Sequence, residues 1–210
     1  MKLFIADISE FLNIIDKSTI KKIYTSEKRN IEHNIGRLIT KYVASNIYNN
    51  EQNEIITKDK KPCFENSTLS FNISHSDKIL GVVFLDIIEN TIFSKSEIGL
   101  DIEKFKPRDL NRLSDYFKKQ FNSYNEFYKY WTLYEANYKS KLTNPNELSI
   151  KLKEYYISIS YSSNQEFQIF KISPNNNTPN KLDLSQLNNE TLKNLEFKLE
   201  KIDTKEYTII

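Results

Sequence analysis

The centre of the chain reads Ile98-Gly99-Leu100-Asp101-Ile102-Glu103, a run in which apolar and acidic side chains alternate. Successive side chains of a β-strand point to opposite faces of the sheet, so residues two apart share a face. The alternation predicts a strand with Leu100 and Ile102 facing the core. Asp101 and Glu103 are then expected side by side on the opposite face.

These two carboxylates are candidate metal ligands. Neighbouring carboxylates repel each other unless a cation lies between them. Oxygen ligands of this kind favour magnesium, which keeps several waters and commonly bridges to a substrate phosphate. The alternative is an ordinary strand whose polar face lies in water, and the local pattern does not separate the two interpretations.

The residues before this strand alternate between strand and helix patterns. Apolar residues recur at helical spacing from Lys28 to Tyr48, which predicts a long amphipathic helix. The predicted strands of this half cover residues 2–8, 52–58, 69–74, 79–88 and 97–103.

The second half repeats this order loosely. A helix is predicted over residues 109–119, and a longer one over 123–141 begins with a capping box of Ser123 and Glu126. One side of the longer helix is expected to carry Phe127, Trp131, Tyr138 and Leu142. Strands are predicted over residues 155–161, 167–172 and 195–202, with a surface loop over 173–180. At 210 residues, this order predicts an α+β fold of two α/β subdomains, residues 1–98 and 99–210.

The long second helix adds Glu135 and Lys139 to the candidate site. Residues four apart lie on the same face of a helix, and this face is flanked by Trp131. Glu135 is a candidate third metal ligand or base, and Lys139 a candidate phosphate-binding cation. The alternative is an ordinary surface ion pair.

A third candidate group lies where the strand over residues 69–74 turns out of the sheet. Ser74, His75 and Ser76 supply two hydroxyls and an imidazole, which are donors for phosphate oxygens. The alternative is a set of ordinary polar residues at a strand end. A Ser-His-Asp triad is not indicated, because no glycine-flanked nucleophile turn is present.

Composition and charge exclude several classes of protein. The chain has 30 basic and 28 acidic side chains, so it lacks the basic excess typical of nucleic-acid-binding proteins. Its single cysteine, Cys63, cannot form an internal disulfide, which suits a reducing compartment. No apolar run approaches the roughly 20 residues of a membrane span, and Asp7 comes too early for a signal peptide. We therefore expect a cytoplasmic protein that binds neither membrane nor nucleic acid.

Four motifs follow one another between residues 20 and 155. They are Lys61-Pro62, Phe71-Asn72-Ile73-Ser74-His75-Ser76, Ile98-Gly99-Leu100-Asp101-Ile102-Glu103-Lys104 and Trp131-Thr132-Leu133-Tyr134-Glu135-Ala136-Asn137-Tyr138-Lys139. In this order and spacing they resemble the Sfp-type 4'-phosphopantetheinyl transferase family. The resemblance implies a pseudo-twofold pair of similar subdomains, with coenzyme A bound in the cleft between them.

The resemblance also implies a role for each candidate residue. Magnesium would be held against the coenzyme pyrophosphate by Asp101, Glu103 and Glu135. The residues implied to contact the coenzyme are Lys61, Pro62, Ser74, His75 and Lys139, with Lys17, Lys21, Lys22 and Arg37 as candidates near its 3'-phosphate or adenine.

The implied reaction moves the phosphopantetheine arm of coenzyme A onto a serine of an apo acyl or peptidyl carrier protein. It releases 3',5'-adenosine bisphosphate, with Glu135 as general base and Lys139 neutralising phosphate charge. A monomer is expected, since a duplicated fold already has both halves.

The chain departs from the family pattern at two places. Tyr134 stands where the family usually has a lysine. Residues 106–127 lack the family's usual arginine and its pair of phenylalanines followed by an acidic residue. Asp115-Tyr116-Phe117 is only a partial substitute for them. One alternative is therefore a non-catalytic relative that binds coenzyme A or a partner protein. A nucleic-acid-binding module using Lys and Tyr side chains is a weaker one.

Overall fold

The computed structural model describes residues 1–51, 54–58, 61–65, 67–85, 98–162, 165–179 and 181–210. Within these residues the fold combines α-helices with three β-sheets, so the predicted α+β class is confirmed. This described part contains no helix that is both long enough and apolar enough to cross a lipid bilayer.

The elements are numbered here in chain order. The strands of the described residues are β1 (Lys2–Asp7), β2 (Ile55–Lys58), β3 (Lys61–Phe64), β4 (Phe71–Ser76), β5 (Ile79–Phe84), β6 (Ile98–Lys104), β7 (Asn146–Leu152), β8 (Tyr155–Tyr161), β9 (Gln168–Pro174), β10 (Phe197–Lys201) and β11 (Tyr207–Ile209). The α-helices are α1 (Ile8–Leu12), α2 (Glu27–Ile47), α3 (Leu110–Phe117), α4 (Tyr124–Ser140) and α5 (Asn189–Asn194).

Most predicted elements are present, with ends shifted by a few residues. The three predicted helices correspond to α2, α3 and α4, and the strand predicted over residues 155–161 is β8. The predicted loop is shorter than expected because β9 continues to Pro174. Parts of the predictions lie outside the described residues, namely 52–53, 86–88, 97 and 180.

Three strands of the described residues were not predicted, namely β3, β7 and the short β11. β3 contains Pro62, which normally argues against a strand, but β2 and β3 form a two-stranded sheet in which proline is tolerated at a free edge. β7 carries the alternating residues Leu148, Ile150 and Leu152 and pairs with β8 across a tight turn. That alternation was the signal that could have identified it.

The first sheet has the strand order β10-β9-β1-β5-β4. β1 pairs antiparallel with β5 and parallel with β9, so strands from the far end of the sequence complete this sheet. The amino group of Met1 also donates to the Glu166 carbonyl oxygen at 2.9 Å. The subdomain boundary at residues 98 and 99 stays a prediction, and it assigns β9 and β10 to the second subdomain.

The second sheet has the order β11-β7-β8-β6, with all neighbours antiparallel. One face of the first sheet packs with α2 in one apolar core. Its other face contributes Leu3 and Val83 to a second core that also contains Leu100 and Ile102 of β6. Leu100 and Ile102 are buried, as the alternating pattern predicts.

Helix α4 packs on β6 and β8 through a face of small and hydroxyl side chains. Ala136 packs so closely on β6 that a Cβ at Gly99 would lie 1.9 Å from its carbonyl oxygen. Thr132 Oγ1 lies 2.6 Å from Ser158 Oγ in the same buried layer. Tyr138, which is expected on the same side of α4 as Phe127, is 75% exposed, whereas Phe127 is buried.

The start of α4 is set by Ser123, whose side chain accepts a hydrogen bond from the Glu126 N–H at 3.2 Å. The Glu126 carboxylate accepts from the Asn122 N–H at 2.7 Å, one residue earlier than a capping box requires. Together these bonds satisfy N–H groups at the helix N-terminus, and they fix the register of the residues that α4 presents to β6.

Candidate active site

The two sheets meet where β4 lies beside β6, and side-chain hydrogen bonds join the two strands. Alternate residues of β4 accept from backbone N–H groups of alternate residues of β6. The pairs are Asn72 with Leu100 at 3.2 Å, Ser74 with Ile102 at 3.2 Å and Ser76 with Lys104 at 3.0 Å. Because β8 pairs with the other edge of β6, these bonds satisfy its outer edge. This contact is called the β4–β6 seam below.

Asp101 lies buried at this seam and is paired with a lysine. Its Oδ1 accepts from Lys139 Nζ at 2.7 Å and from the Ser74 hydroxyl at 3.3 Å. Lys139 Nζ also donates to the Leu100 carbonyl oxygen at 3.0 Å and to Ser74 Oγ at 3.4 Å. All three ammonium protons therefore have acceptors at the seam.

The second carboxylate oxygen of Asp101, Oδ2, is buried and has no hydrogen-bond partner among the residues that the structure describes. Burial raises the pKa of the Asp101 carboxyl to about 6. The Lys139 ammonium opposes that rise, while the nearby Glu103 and Glu135 carboxylates add to it. A buried carboxylate oxygen that is repelled by two others is a position where an added cation is stabilising.

Glu103 is held from two sides. Its Oε1 accepts from the Trp131 indole N–H at 3.4 Å, and its Oε2 accepts from the Ser76 hydroxyl at 3.4 Å. The first donor belongs to α4 and the second to β4, so the carboxylate orientation depends on both elements. Trp131 was a missed contributor, and its position one turn before Glu135 was the available signal.

The three predicted metal ligands lie near one another, with a lysine among them. The described residues contain no group of three His, Cys, Asp or Glu side chains compact enough to hold a metal ion. The Lys139 ammonium is the cation beside Asp101. Carboxylate oxygens are the type of ligand that magnesium prefers, and the buried Asp101 Oδ2 has no hydrogen-bond partner among the described residues.

His75 points away from this cluster, towards α2. Its Nδ1 lies 3.5 Å from Oε2 of Glu32, a carboxylate that is only 4% exposed and that also contacts Lys28. Burial lowers the pKa of His75, the Glu32 carboxylate opposes this, and the Lys139 ammonium adds to it. Glu32 was not identified from the sequence, since a glutamate within a charged helix segment normally faces water.

A cavity of about 420 Å³ opens beside His75, between α2, the β2–β3 ribbon and β4. Its lining includes four side chains that carry or can carry positive charge. The lining residues are Tyr24, Arg29, Glu32, His33, Arg37, Thr57, Pro62, Ile73 and His75. His33 Nε2 and Arg37 Nε are buried without hydrogen-bond partners in the described part of the chain. The Arg37 N–H is thus a donor available to an anion.

The remaining predicted coenzyme residues are placed differently around this cavity. Lys61 Nζ is buried and has no partner in the described ranges, and burial with the nearby Lys141 charge lowers the pKa of Lys61 to about 8. Lys21 is exposed, but its charge reaches the cavity and helps to lower the pKa of His33, after burial and Arg37. Lys17 and Lys22 are exposed and are not among the residues that line the cavity.

A second cavity, of about 550 Å³, lies beside Glu103, between α3 and α4. Glu103 and Trp131 form its inner wall, and Arg108 and Arg112 are among its lining residues. Tyr116, at its edge, is 79% exposed. Glu103 of the acidic cluster therefore lines an open, partly aromatic cavity, and the basic cavity is lined by His75, the residue that follows Ser74.

Comparison with known proteins agrees with the motifs. No model of a protein family matches the chain. A protein of Haemophilus influenzae that carries the provisional name 4'-phosphopantetheinyl transferase is 37% identical over 94 residues. The aligned part covers 40% of this chain and 38% of that protein. The resemblance to phosphopantetheinyl transferases predicted from the motifs is thus confirmed, over less than half of the relative's length.

Proposed function

We propose that the chain transfers the 4'-phosphopantetheine group of coenzyme A to a serine of an apo acyl or peptidyl carrier protein in a magnesium-dependent reaction. The observation that carries this proposal is the buried Asp101 carboxylate at the β4–β6 seam, whose Oδ1 accepts from Lys139 and whose Oδ2 has no hydrogen-bond partner among the described residues. The similarity to the Haemophilus influenzae protein supports the same class of reaction.

The basic cavity beside His75 is the proposed site for the nucleotide end of coenzyme A. Arg29 and Arg37 can bind phosphate oxygens, and Tyr24 offers an aromatic ring beside them. Lys61, which precedes the cavity residue Pro62 and whose ammonium is buried without a partner among the described residues, is proposed to bind a coenzyme phosphate. His75 lines this cavity and directly follows Ser74 of the seam on β4, so the two sites are adjacent.

Asp101, Glu103 and Glu135 are the proposed magnesium ligands. A bound magnesium ion would neutralise charge on the pyrophosphate and orient it. Lys139 would contribute a fixed positive charge beside the same oxygens, which stabilises the charge that builds up on the leaving phosphate.

Glu135 is the proposed general base, and it lies one helical turn before Lys139. It would take the proton of the carrier serine as the serine oxygen bonds to the β-phosphorus of coenzyme A. The bond from that phosphorus to the bridging oxygen breaks, and 3',5'-adenosine bisphosphate leaves with the electron pair. The carrier would approach through the cavity lined by Arg108 and Arg112, whose charges suit an acidic partner.

The finer architecture belongs to the same proposal. The subdomains 1–98 and 99–210 would each contribute one long helix, α2 or α4, packed on antiparallel strands and related by a pseudo-twofold axis. The active site would lie at their junction. A cytoplasmic monomer fits this arrangement, since both halves are present in one chain.

A second candidate function is coenzyme or partner binding without transfer. It is favoured by Lys139, whose three donors already have acceptors at the seam. Tyr134, which is 53% exposed in place of the usual lysine, favours it as well.

The test is to incubate the protein with coenzyme A and a panel of apo carrier proteins, with and without magnesium, and to weigh the carriers by mass spectrometry. The expected result is a phosphopantetheine adduct that forms only with magnesium and that Asp101→Asn abolishes. Tight coenzyme binding with every carrier left unmodified would favour the binding function instead.

A further inference from the structure

We propose that the serines of the β4–β6 seam are positioning residues that hold the metal-binding carboxylates in place across the two sheets. This inference rests on the proposed function, since it concerns the same acidic cluster. It assigns Ser76 and Ser74 to the orientation of Glu103 and Asp101, in addition to any contact with the coenzyme.

The Ser76 hydroxyl joins the backbone and a side chain of β6. It accepts from the Lys104 N–H at 3.0 Å and donates to Glu103 Oε2 at 3.4 Å. A hydroxyl has one proton to donate, and the Lys104 contact fixes its oxygen. The direction of its donation towards Glu103 is therefore set by the alignment of β4 with β6.

Ser74 repeats this arrangement two residues earlier. Its hydroxyl accepts from the Ile102 N–H at 3.2 Å and donates to Asp101 Oδ1 at 3.3 Å. In both cases the serine accepts from the residue that follows the carboxylate it holds. The repeat arises because alternate residues of two aligned strands face each other.

Each hydroxyl leaves one carboxylate oxygen for another cation or donor. Asp101 Oδ2 has no hydrogen-bond partner among the described residues, and Glu103 Oε1 accepts from the Trp131 indole N–H at 3.4 Å, the same length as the bond from Ser76 to Oε2. Removal of a group that hydrogen-bonds to a metal ligand and orients it typically lowers the metal affinity by about 10- to 100-fold. Loss of the Ser76 hydroxyl should therefore weaken metal binding in that range.

Asn72 is the matched control within the same seam. Its side-chain oxygen accepts from the Leu100 N–H at 3.2 Å, as the serines do for their own partners. The residue after Leu100 is Asp101, and its carboxylate accepts from Ser74 and Lys139 and not from Asn72. Asn72→Ala thus removes a seam bond without removing a donor to a carboxylate.

The experiment compares Ser76→Ala, Ser76→Thr and Asn72→Ala by titration with Mn²⁺, followed by electron paramagnetic resonance in the presence of 3',5'-adenosine bisphosphate. Ser76→Ala is expected to raise the Mn²⁺ dissociation constant about 10-fold or more. Ser76→Thr, which keeps the hydroxyl, should restore it. Asn72→Ala should lower the melting temperature and leave the dissociation constant at the wild-type value. If Ser76→Ala fails to fold, Ser74→Ala takes its place with the same expectation.

The outcomes separate this inference from the proposed function. Equal Mn²⁺ constants for Ser76→Ala, Asn72→Ala and the wild type, in a wild type that modifies carriers, would overturn the positioning role alone. Failure of Ser76→Thr to restore binding would also overturn it. A wild type that neither binds Mn²⁺ nor modifies any carrier would overturn both.

Discussion

Replacing Gly99 by alanine tests whether the close contact between β6 and α4 sets the geometry of the site. The added Cβ would lie 1.9 Å from the Ala136 carbonyl oxygen and 2.7 Å from the Ser140 backbone nitrogen. Because Cβ atoms essentially never come within 3.0 Å of a heavy atom outside their own residue and its two chain neighbours, α4 would have to retreat by about 1 Å. The obstructing atoms are backbone, so no side chain can rotate away.

The retreat has two measurable consequences. Overpacking of this kind lowers the free energy of unfolding by about 1–3 kcal/mol. The same shift moves Lys139, now 2.7 Å from Asp101, and Glu135 with it. A displacement of about 1 Å in positioned groups can reduce the rate about 100-fold.

The assay is the initial rate of carrier modification, together with chemical denaturation of the same samples. Gly36→Ala is the matched control, because its Cβ would meet methyl groups of the Ile73 and Leu80 side chains at 3.3 Å, which need to move by only a few tenths of an ångström. A glycine-to-alanine change inside helix α2 should cost little or stabilise by up to about 1 kcal/mol. A Gly99→Ala protein with wild-type rate and stability would refute the inferred contact.

Two further predictions concern titrating groups. Burial raises the pKa of Asp101 to about 6, so its ionised form costs folding free energy, a cost that grows from about pH 4 to about pH 6 and then stays constant. Without metal at pH 7, the free energy of unfolding of Asp101→Asn should therefore exceed that of the wild type by up to about 3 kcal/mol. Chemical denaturation measures this difference, which should vanish near pH 4. A variant less stable than the wild type at pH 7 would contradict the prediction. Burial lowers the pKa of Lys61 to about 8, so coenzyme affinity measured by calorimetry should fall as the pH rises through that value. Lys61→Arg stays charged and should remove this dependence, and an unchanged pH profile in that variant would argue against a role for Lys61.

The sequence predicts the local parts of this site because their signals are local. Alternation assigns Leu100 to the core and Asp101 to the opposite face, and helical spacing assigns Glu135 and Lys139 to one side of α4. Each of these statements concerns neighbours within one element. The structure agrees with them for the residues that it describes.

Partners from distant elements could not be predicted in this way. Ser74 bonds to Asp101, 27 residues away, and His75 contacts Glu32 of α2. These pairs depend on which strands and helices become neighbours, and hydrophobic periodicity reports only which face is buried. For the same reason the sequence indicated Lys139 as a phosphate-binding cation and did not indicate its three acceptors at the seam.

The parallel pairing of β1 with β9 constrains how the first sheet can form. β1 lies in the middle of that sheet, and Leu3 pairs with Ile169 across most of the sequence. During synthesis, the backbone groups on one edge of β1 have no strand partner until β9 has left the ribosome. A fragment ending before β9 would thus carry an open strand edge, which is prone to self-association. Contacts between such remote segments also make folding slow.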